Sequence, residues 1–271
     1  MRATDFANAA GPIGVFDSGI GGLTVVAELR RRLPRERILY LGDTARVPYG
    51  GKSPETVTRY SREISDLLLA EGAKMIIVAC NTASALAVPS LSESYPIPII
   101  GVLEPGAAAA VQATRSGRIG VIGTKATIGS GAYSKAIRVL KPELIVFGNA
   151  CPLLVPLIEE GYFDDDITKA VLNRYLEPML ENGIDTLVLG CTHYPLLKSA
   201  IRRACGDQVA LVDSAENCAL AVQSMIMEMP TTSSDPRLDI LLTDPAEDFL
   251  RLAEKSLDLR IDSLQIRRIG Y

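Results

Sequence analysis

The sequence predicts an α/β protein of two related domains, each a mostly parallel sheet flanked by helices, with the active site in the crevice between them. Three observations carry this. Short apolar runs alternate with amphipathic helical stretches, the order of elements repeats once, and the same strand in each half ends in a cysteine followed by small polar residues. Those endings are Val78-Ala79-Cys80-Asn81-Thr82 and Leu189-Gly190-Cys191-Thr192-His193.

The first strand is Ile13-Gly14-Val15-Phe16, running into the glycine-rich turn Asp17-Ser18-Gly19-Ile20-Gly21-Gly22. A helix follows with Leu23, Val26, Leu29 and Leu33 on one face, stopped by Pro34. Ile38 to Leu41 is the second strand, Thr56 to Ala70 a helix, Met75 to Ala79 the third strand and Ile97 to Val102 the fourth. The order then starts again. Ile119 to Ile122 leads into Gly123-Thr124-Lys125 as the opening strand leads into its turn, and Leu144 to Phe147 leads into Gly148-Asn149 as the second strand leads into Gly42-Asp43. Val15 to Leu41 and Val121 to Phe147 are both steps of 26 residues, and Cys80 to Gly101 and Cys191 to Val212 both steps of 21. Several agreements in one order favour two related halves over generic α/β periodicity. After a Pro230-Thr231-Thr232-Ser233-Ser234 linker, a further strand (Leu238 to Leu242) and helix (Pro245 to Leu257) have no counterpart in the repeat. They must return to one of the halves.

A chain of 271 residues buries a substantial core. A net charge of −4 gives no footprint for nucleic acid, and Arg30-Arg31-Arg32 suits the C-terminal end of a helix. No run reaches the ~18 apolar residues of a membrane span, and Met1 to Ala10 has no apolar signal core, reading as a disordered leader. The five cysteines are odd in number and widely spaced, so they read as reduced thiols of a cytoplasmic protein. The chain has one histidine, His193, and neither CxxC nor HxxxH spacing, which argues against structural zinc.

Two thiols delivered by equivalent strand ends suggest acid/base groups facing one substrate from opposite sides, as needed to take a proton from one face of a carbon and return it to the other. Either cysteine alone reads better as a small buried hydrophobe, and the matched position and polar followers of the two together reverse that reading. A thiol needs an activating neighbour to act as a base near neutrality. His193 is two residues beyond Cys191, and Asp17 ends the first strand of the other half; either could exchange a proton with a thiol, and the histidine could instead be a core residue. The Asp17 to Gly22 turn matches neither GxGxxG nor a P-loop, and its aspartate would repel phosphate. It suits a carboxylate or ammonium held by Ser18 and Asp17, or is an ordinary capped turn. Asn81, Thr82, Thr192 and Thr124 can receive carboxylate oxygens or cap helices. Val47-Pro48-Tyr49-Gly50-Gly51 reads as a loop over the first crevice or a plain turn. Cys151, Cys205 and Cys218 read as structural.

The chain resembles the glutamate racemases of the cofactor-independent aspartate/glutamate racemase superfamily. The resemblance rests on Phe16-Asp17-Ser18-Gly19-Ile20-Gly21-Gly22-Leu23-Thr24-Val25, Gly42-Asp43-Thr44-Ala45-Arg46-Val47-Pro48-Tyr49-Gly50, Ala79-Cys80-Asn81-Thr82-Ala83-Ser84 and Gly190-Cys191-Thr192-His193-Tyr194-Pro195-Leu196-Leu197. Weaker matches are Gly123-Thr124 and Cys151-Pro152-Leu153 through Glu159-Glu160-Gly161. The resemblance implies two-base racemisation of glutamate without pyridoxal phosphate or metal. Cys80 would be the base for D-glutamate, helped by Asp17, and Cys191 the base for L-glutamate, helped by His193 with Glu159 behind it. Asn81, Thr82 and Thr192 would hold the α-carboxylate, and Ser18, Pro48-Tyr49-Gly50 and Thr124 would position the amino group and side-chain carboxylate. It further implies a homodimer supplying D-glutamate for peptidoglycan, with residues 1–103 and 216–271 as one domain and 104–215 as the other. The rival readings are an aspartate racemase or other superfamily amino-acid racemase, a one-thiol decarboxylase, which has no use for the second cysteine, and a two-lobed amino-acid binding protein, which has no use for either thiol.

Overall fold

The structure, a computed structural model, describes residues 10–227, 236–246 and 257–270. The expected leader (all but Ala10), the Pro230 to Ser234 linker and residues 247–256 of the expected final helix lie outside the described residues. The strands are Ile13–Asp17 (β1), Ile38–Gly42 (β2), Met75–Val78 (β3), Ile99–Gly101 (β4), Arg118–Gly123 (β5), Ile145–Ala150 (β6), Thr186–Gly190 (β7), Ala210–Asp213 (β8), Leu238–Leu242 (β9) and Ser263–Ile266 (β10). They form two sheets, ordered β10-β9-β2-β1-β3-β4 and β6-β5-β7-β8. Every neighbouring pair is parallel.

The repeat read from spacing is visible as topology: β2-β1-β3-β4 and β6-β5-β7-β8 are one arrangement used twice. Both sheets are covered on both faces, so β1, β3 and β7 are buried throughout and read as unbroken apolar runs. In each sheet the first and third strands lie side by side, with Val15 opposite Ile77 and Val121 opposite Val188. That is where the chain changes direction across the sheet, and a crevice opens beyond the strands' C-terminal ends.

Two helices tie the halves together. Leu103, Ala107 and Ala110 of the Leu103–Ala113 helix, which follows the first sheet, pack against Ile119, Val121 and Val188 of the second. In return, Ala215, Cys218, Ala219, Val222 and Ile226 of the Ser214–Met227 helix pack into the first sheet's core with Val25, Val26 and Leu29. The tail also goes back to the first sheet, β9 pairing with β2.

Several expected boundaries move for local reasons. The second helix starts at Pro54, not Thr56, because Ser53 caps it by accepting from the Thr56 amide and Pro54 fits the first helical turn. The fourth strand starts at Ile99, not Ile97; Pro98 has no N–H to give the ladder. The sixth starts at Ile145, not Leu144, whose amide is used in a turn to the Lys141 carbonyl. The sequence reading had no β10, a short and largely exposed edge strand beside β9.

Candidate active site

Each functional side chain is placed by a strand end. β1 ends in Asp17, whose carboxylate is buried and accepts the backbone amides of Gly19 (3.1 Å) and Gly22 (3.0 Å). The glycine turn is therefore wound around its own aspartate. A Cβ on Gly22 would lie 2.4 Å from Asp17 Cβ, and one on Gly21 2.4 Å from His193 Nδ1, so a side chain at either position would force its neighbour to move. Gly21 brings the first half's turn against the second half's histidine. Thr24 Oγ1 donates to the Thr192 carbonyl (2.9 Å) across the same junction.

Cys80 is the cap residue of the Asn81–Leu86 helix just past β3, and Cys191 directly follows β7. Both line one cavity of about 310 Å³ between the halves, within the range of small-molecule sites. The same cavity is lined by Ser18, Pro48, Tyr49, Gly50, Asn81, Thr82, Thr124, Glu159, Thr192 and His193. Asp17 alone among the expected site residues is not at the wall; one of its oxygens is taken by the turn's amides and the other faces Thr192 Oγ1 at 3.5 Å.

The two thiols have unlike surroundings. Cys80 Sγ donates to Ser18 Oγ at 3.6 Å, and burial, with the Asp17 carboxylate nearby, pushes this thiol up to about 12. Cys191 Sγ lies 3.8 Å from His193 Nδ1, and Glu159 Oε1 stands 3.2 Å from the ring's other nitrogen. Burial works against charge on the imidazole. The contacts with Cys191 and Glu159 and the more distant Asp17 carboxylate outweigh it, and His193 is pushed up to about 10. It is thus an imidazolium at neutral pH. Asp17 is itself raised by burial, partly offset by that charge and by the turn's amides.

The wall beside the thiols carries a cluster of hydroxyls. Thr82, Thr124 and Thr127 form a ring of hydrogen bonds of 2.9–3.0 Å that joins the first half to the second. The Val47-Gly51 loop closes over it, with Gly50 so near that a Cβ there would lie 2.7 Å from Thr124 Cβ. The loop is anchored from behind: Tyr49 donates its phenol to Asp43, which also accepts from Arg46 Nε (2.7 Å) and Thr243 Oγ1 (2.9 Å). Sequence reasoning missed Lys125, Cys151, Pro152, Val155 and Pro156 on the wall, and Thr127 behind it. Cys151, read as structural, is buried and also borders the cavity. Among the described residues no three His, Cys, Asp or Glu side chains are disposed to hold a metal, and no helix is long and apolar enough to cross a membrane.

The family model for Asp/Glu/hydantoin racemases matches residues 16–222. The chain belongs to that family. A glutamate racemase from Geobacter metallireducens is 50% identical over 248 residues, covering 90% of this chain and 92% of the relative. Among solved structures, a glutamate racemase isoform from Bacillus anthracis superposes with a TM-score of 0.90 at 40% identity, covering 95% of this chain and 97% of that one. The Francisella tularensis glutamate racemase in complex with D-glutamate superposes at 0.88 with 37% identity, covering 96% and 98%. The enzyme is an amino-acid racemase, an isomerase of the glutamate racemase group. The two-lobed binding protein is thereby set aside.

Proposed function

We propose that this racemase interconverts L- and D-glutamate by passing the Cα proton between two thiols, and supplies D-glutamate for peptidoglycan. The observation that carries the reading is the meeting of Cys80 and Cys191, from equivalent strand ends of the two halves, on one cavity. With L-glutamate, the Cys191 thiolate takes the Cα proton and leaves its electron pair on Cα. Cys80 then gives its S–H proton to the opposite face. D-glutamate runs the same steps in reverse, so the two thiols exchange the roles of base and acid between the two directions. Cys80, held protonated by burial and Asp17, is suited to donate. Cys191, with an imidazolium beside it, is suited to accept. Neither pyridoxal phosphate nor a metal takes part, as the family resemblance implies.

Asn81, Thr82 and Thr192 hold the α-carboxylate; Ser18, the Pro48-Tyr49-Gly50 loop and Thr124 position the amino group and side-chain carboxylate. Glu159 keeps His193 charged and oriented, and Asp17 acts on Cys80 from behind the wall. The protein works in the cytoplasm as a homodimer, with residues 1–103 and 216–271 as one domain and 104–215 as the other. The reciprocal packing of the Leu103–Ala113 and Ser214–Met227 helices supports that division.

Cys80→Ser and Cys191→Ser tests the mechanism: each abolishes racemisation while circular dichroism stays native, and full activity in either variant contradicts it. An assay across glutamate, aspartate and neutral amino acids tests the substrate, with glutamate expected to dominate.

A further inference from the structure

Asn81 stands at the cavity wall, fully enclosed on its far side by three groups that form a directed chain. The Tyr133 phenol donates to Asn81 Oδ1 at 2.6 Å, Asn81 Nδ2 donates to Ser214 Oγ at 3.4 Å, and Ser214 Oγ donates to the Leu189 carbonyl at 3.0 Å. All three side chains are buried. Asn81 belongs to the first half, Tyr133 to the Ala132–Leu140 helix beside the second sheet, and Ser214 opens the helix that crosses back.

This chain has one sense. If the Asn81 amide flipped, Nδ2 would face the Tyr133 phenol and Oδ1 the Ser214 hydroxyl; the phenol proton would then have to pass to Ser214 Oγ, which also lies within its reach, and Ser214 would have to give up the Leu189 carbonyl to meet Oδ1. Each unmet buried polar group costs about 1–3 kcal/mol, so the unflipped amide is fixed. Nδ2 carries two protons and Ser214 takes one. The other remains for the cavity. The neighbouring hydroxyls of Thr82 and Thr124 can donate or accept, and so accept an ammonium as readily as a carboxylate. A fixed amide N–H accepts nothing.

We propose that Tyr133 is a positioning residue for racemisation: by holding Oδ1 of Asn81, it makes Asn81 an obligate donor toward a carboxylate of the substrate and so sets which end of the amino acid faces the Cys80 side. The proposal rests on the reading of the site as a glutamate-binding one, and deepens it.

The test is a double-mutant cycle with Tyr133→Phe, which removes only the hydroxyl, and Asn81→Ala. Tyr133→Phe raises KM for both glutamate enantiomers about tenfold, as expected for a weakened hydrogen bond to a charged group. Its kcat stays within about twofold and its melting curve remains cooperative. In the Asn81→Ala background the same change has no further effect on KM, because the amide it orients is gone. Ser214→Ala, which frees the other end of the amide, shows the same KM-over-kcat split and serves in place of Tyr133→Phe should that variant not fold. An unchanged KM in Tyr133→Phe, or a rise that persists undiminished in the Asn81→Ala background, overturns the proposal while leaving the racemase reading intact. Failure of the unmutated chain to turn over glutamate overturns both.

Discussion

His193 reaches Cys191 with one ring nitrogen (Nδ1 to Sγ, 3.8 Å) and Glu159 with the other (Nε2 to Oε1, 3.2 Å). Cys80 has a hydroxyl, Ser18 Oγ at 3.6 Å, where Cys191 has an imidazolium. The two thiols are equivalent in topology and unlike in electrostatics, and that difference orders the predictions.

Replacing His193 by Asn removes the cation beside Cys191 and leaves Cys80 untouched. A general acid/base partner contributes about 10²–10⁴-fold, and kcat/KM falls by that order in both directions, since the equilibrium between enantiomers is unaffected by the enzyme. The step involving Cys191 becomes limiting. The primary isotope effect with 2-deutero-L-glutamate therefore grows beyond that with 2-deutero-D-glutamate; equal effects contradict the assignment of Cys191 to the L-face.

His193 also sets a pH limit. Its folded value of about 10 lies above the ordinary 6.5. The stabilisation it contributes is therefore full below about 6.5 and lost as pH rises through about 10. Activity has an alkaline limb near the same upper value. Glu159→Gln removes one of the charges that hold the proton on His193, and the limb moves to lower pH. A pH–rate profile of kcat/KM for both proteins checks the shift, and an unmoved limb contradicts it.

Gly21→Ala puts a methyl 2.4 Å from His193 Nδ1, in contact with the ring and with Thr192 Oγ1. The ring moves off Cys191. Small misplacements of catalytic groups cost about 10²-fold, and turnover falls by that order while the fold persists; wild-type turnover contradicts the tight packing of the turn on the histidine.

Far from the site, at the N-terminal ends of the strands, Lys74 and Glu36 form a buried ion pair of 2.6 Å. Removing one partner strands a charge, and Lys74→Met destabilises by about 3–5 kcal/mol. Adding Glu36→Leu restores most of it. Denaturant melts of both variants test this, with activity per folded molecule unchanged in each.

Much of the fold was legible in the chain because parallel strands buried on both faces, such as Ile13–Asp17 and Met75–Val78, are short unbroken apolar runs. β10 was not, because as an edge strand it is largely exposed and needs no such run. The cavity residues next to glycine turns and strand ends were readable, since strand ends face the crevice. Asp17 was read into the wall because it ends β1, but its own turn folds back over it to satisfy two amides. Tyr133, Thr127 and Ser214 act through hydrogen bonds to residues 52, 45 and 133 positions away, and no local pattern encodes such partners. Lys125 belongs to the same Gly123-Thr124-Lys125 turn as the expected Thr124 and follows it onto the wall.

The two-thiol transfer is tested most directly by starting the reaction with L-glutamate in deuterium oxide and analysing Cα at the earliest times. Cys191 takes the proton and Cys80, already exchanged with solvent, supplies the other. Newly formed D-glutamate therefore carries deuterium at Cα while unreacted L-glutamate keeps its hydrogen. Original hydrogen at Cα of the D-glutamate formed would contradict the mechanism, because it would mean that one group removes and returns the same proton.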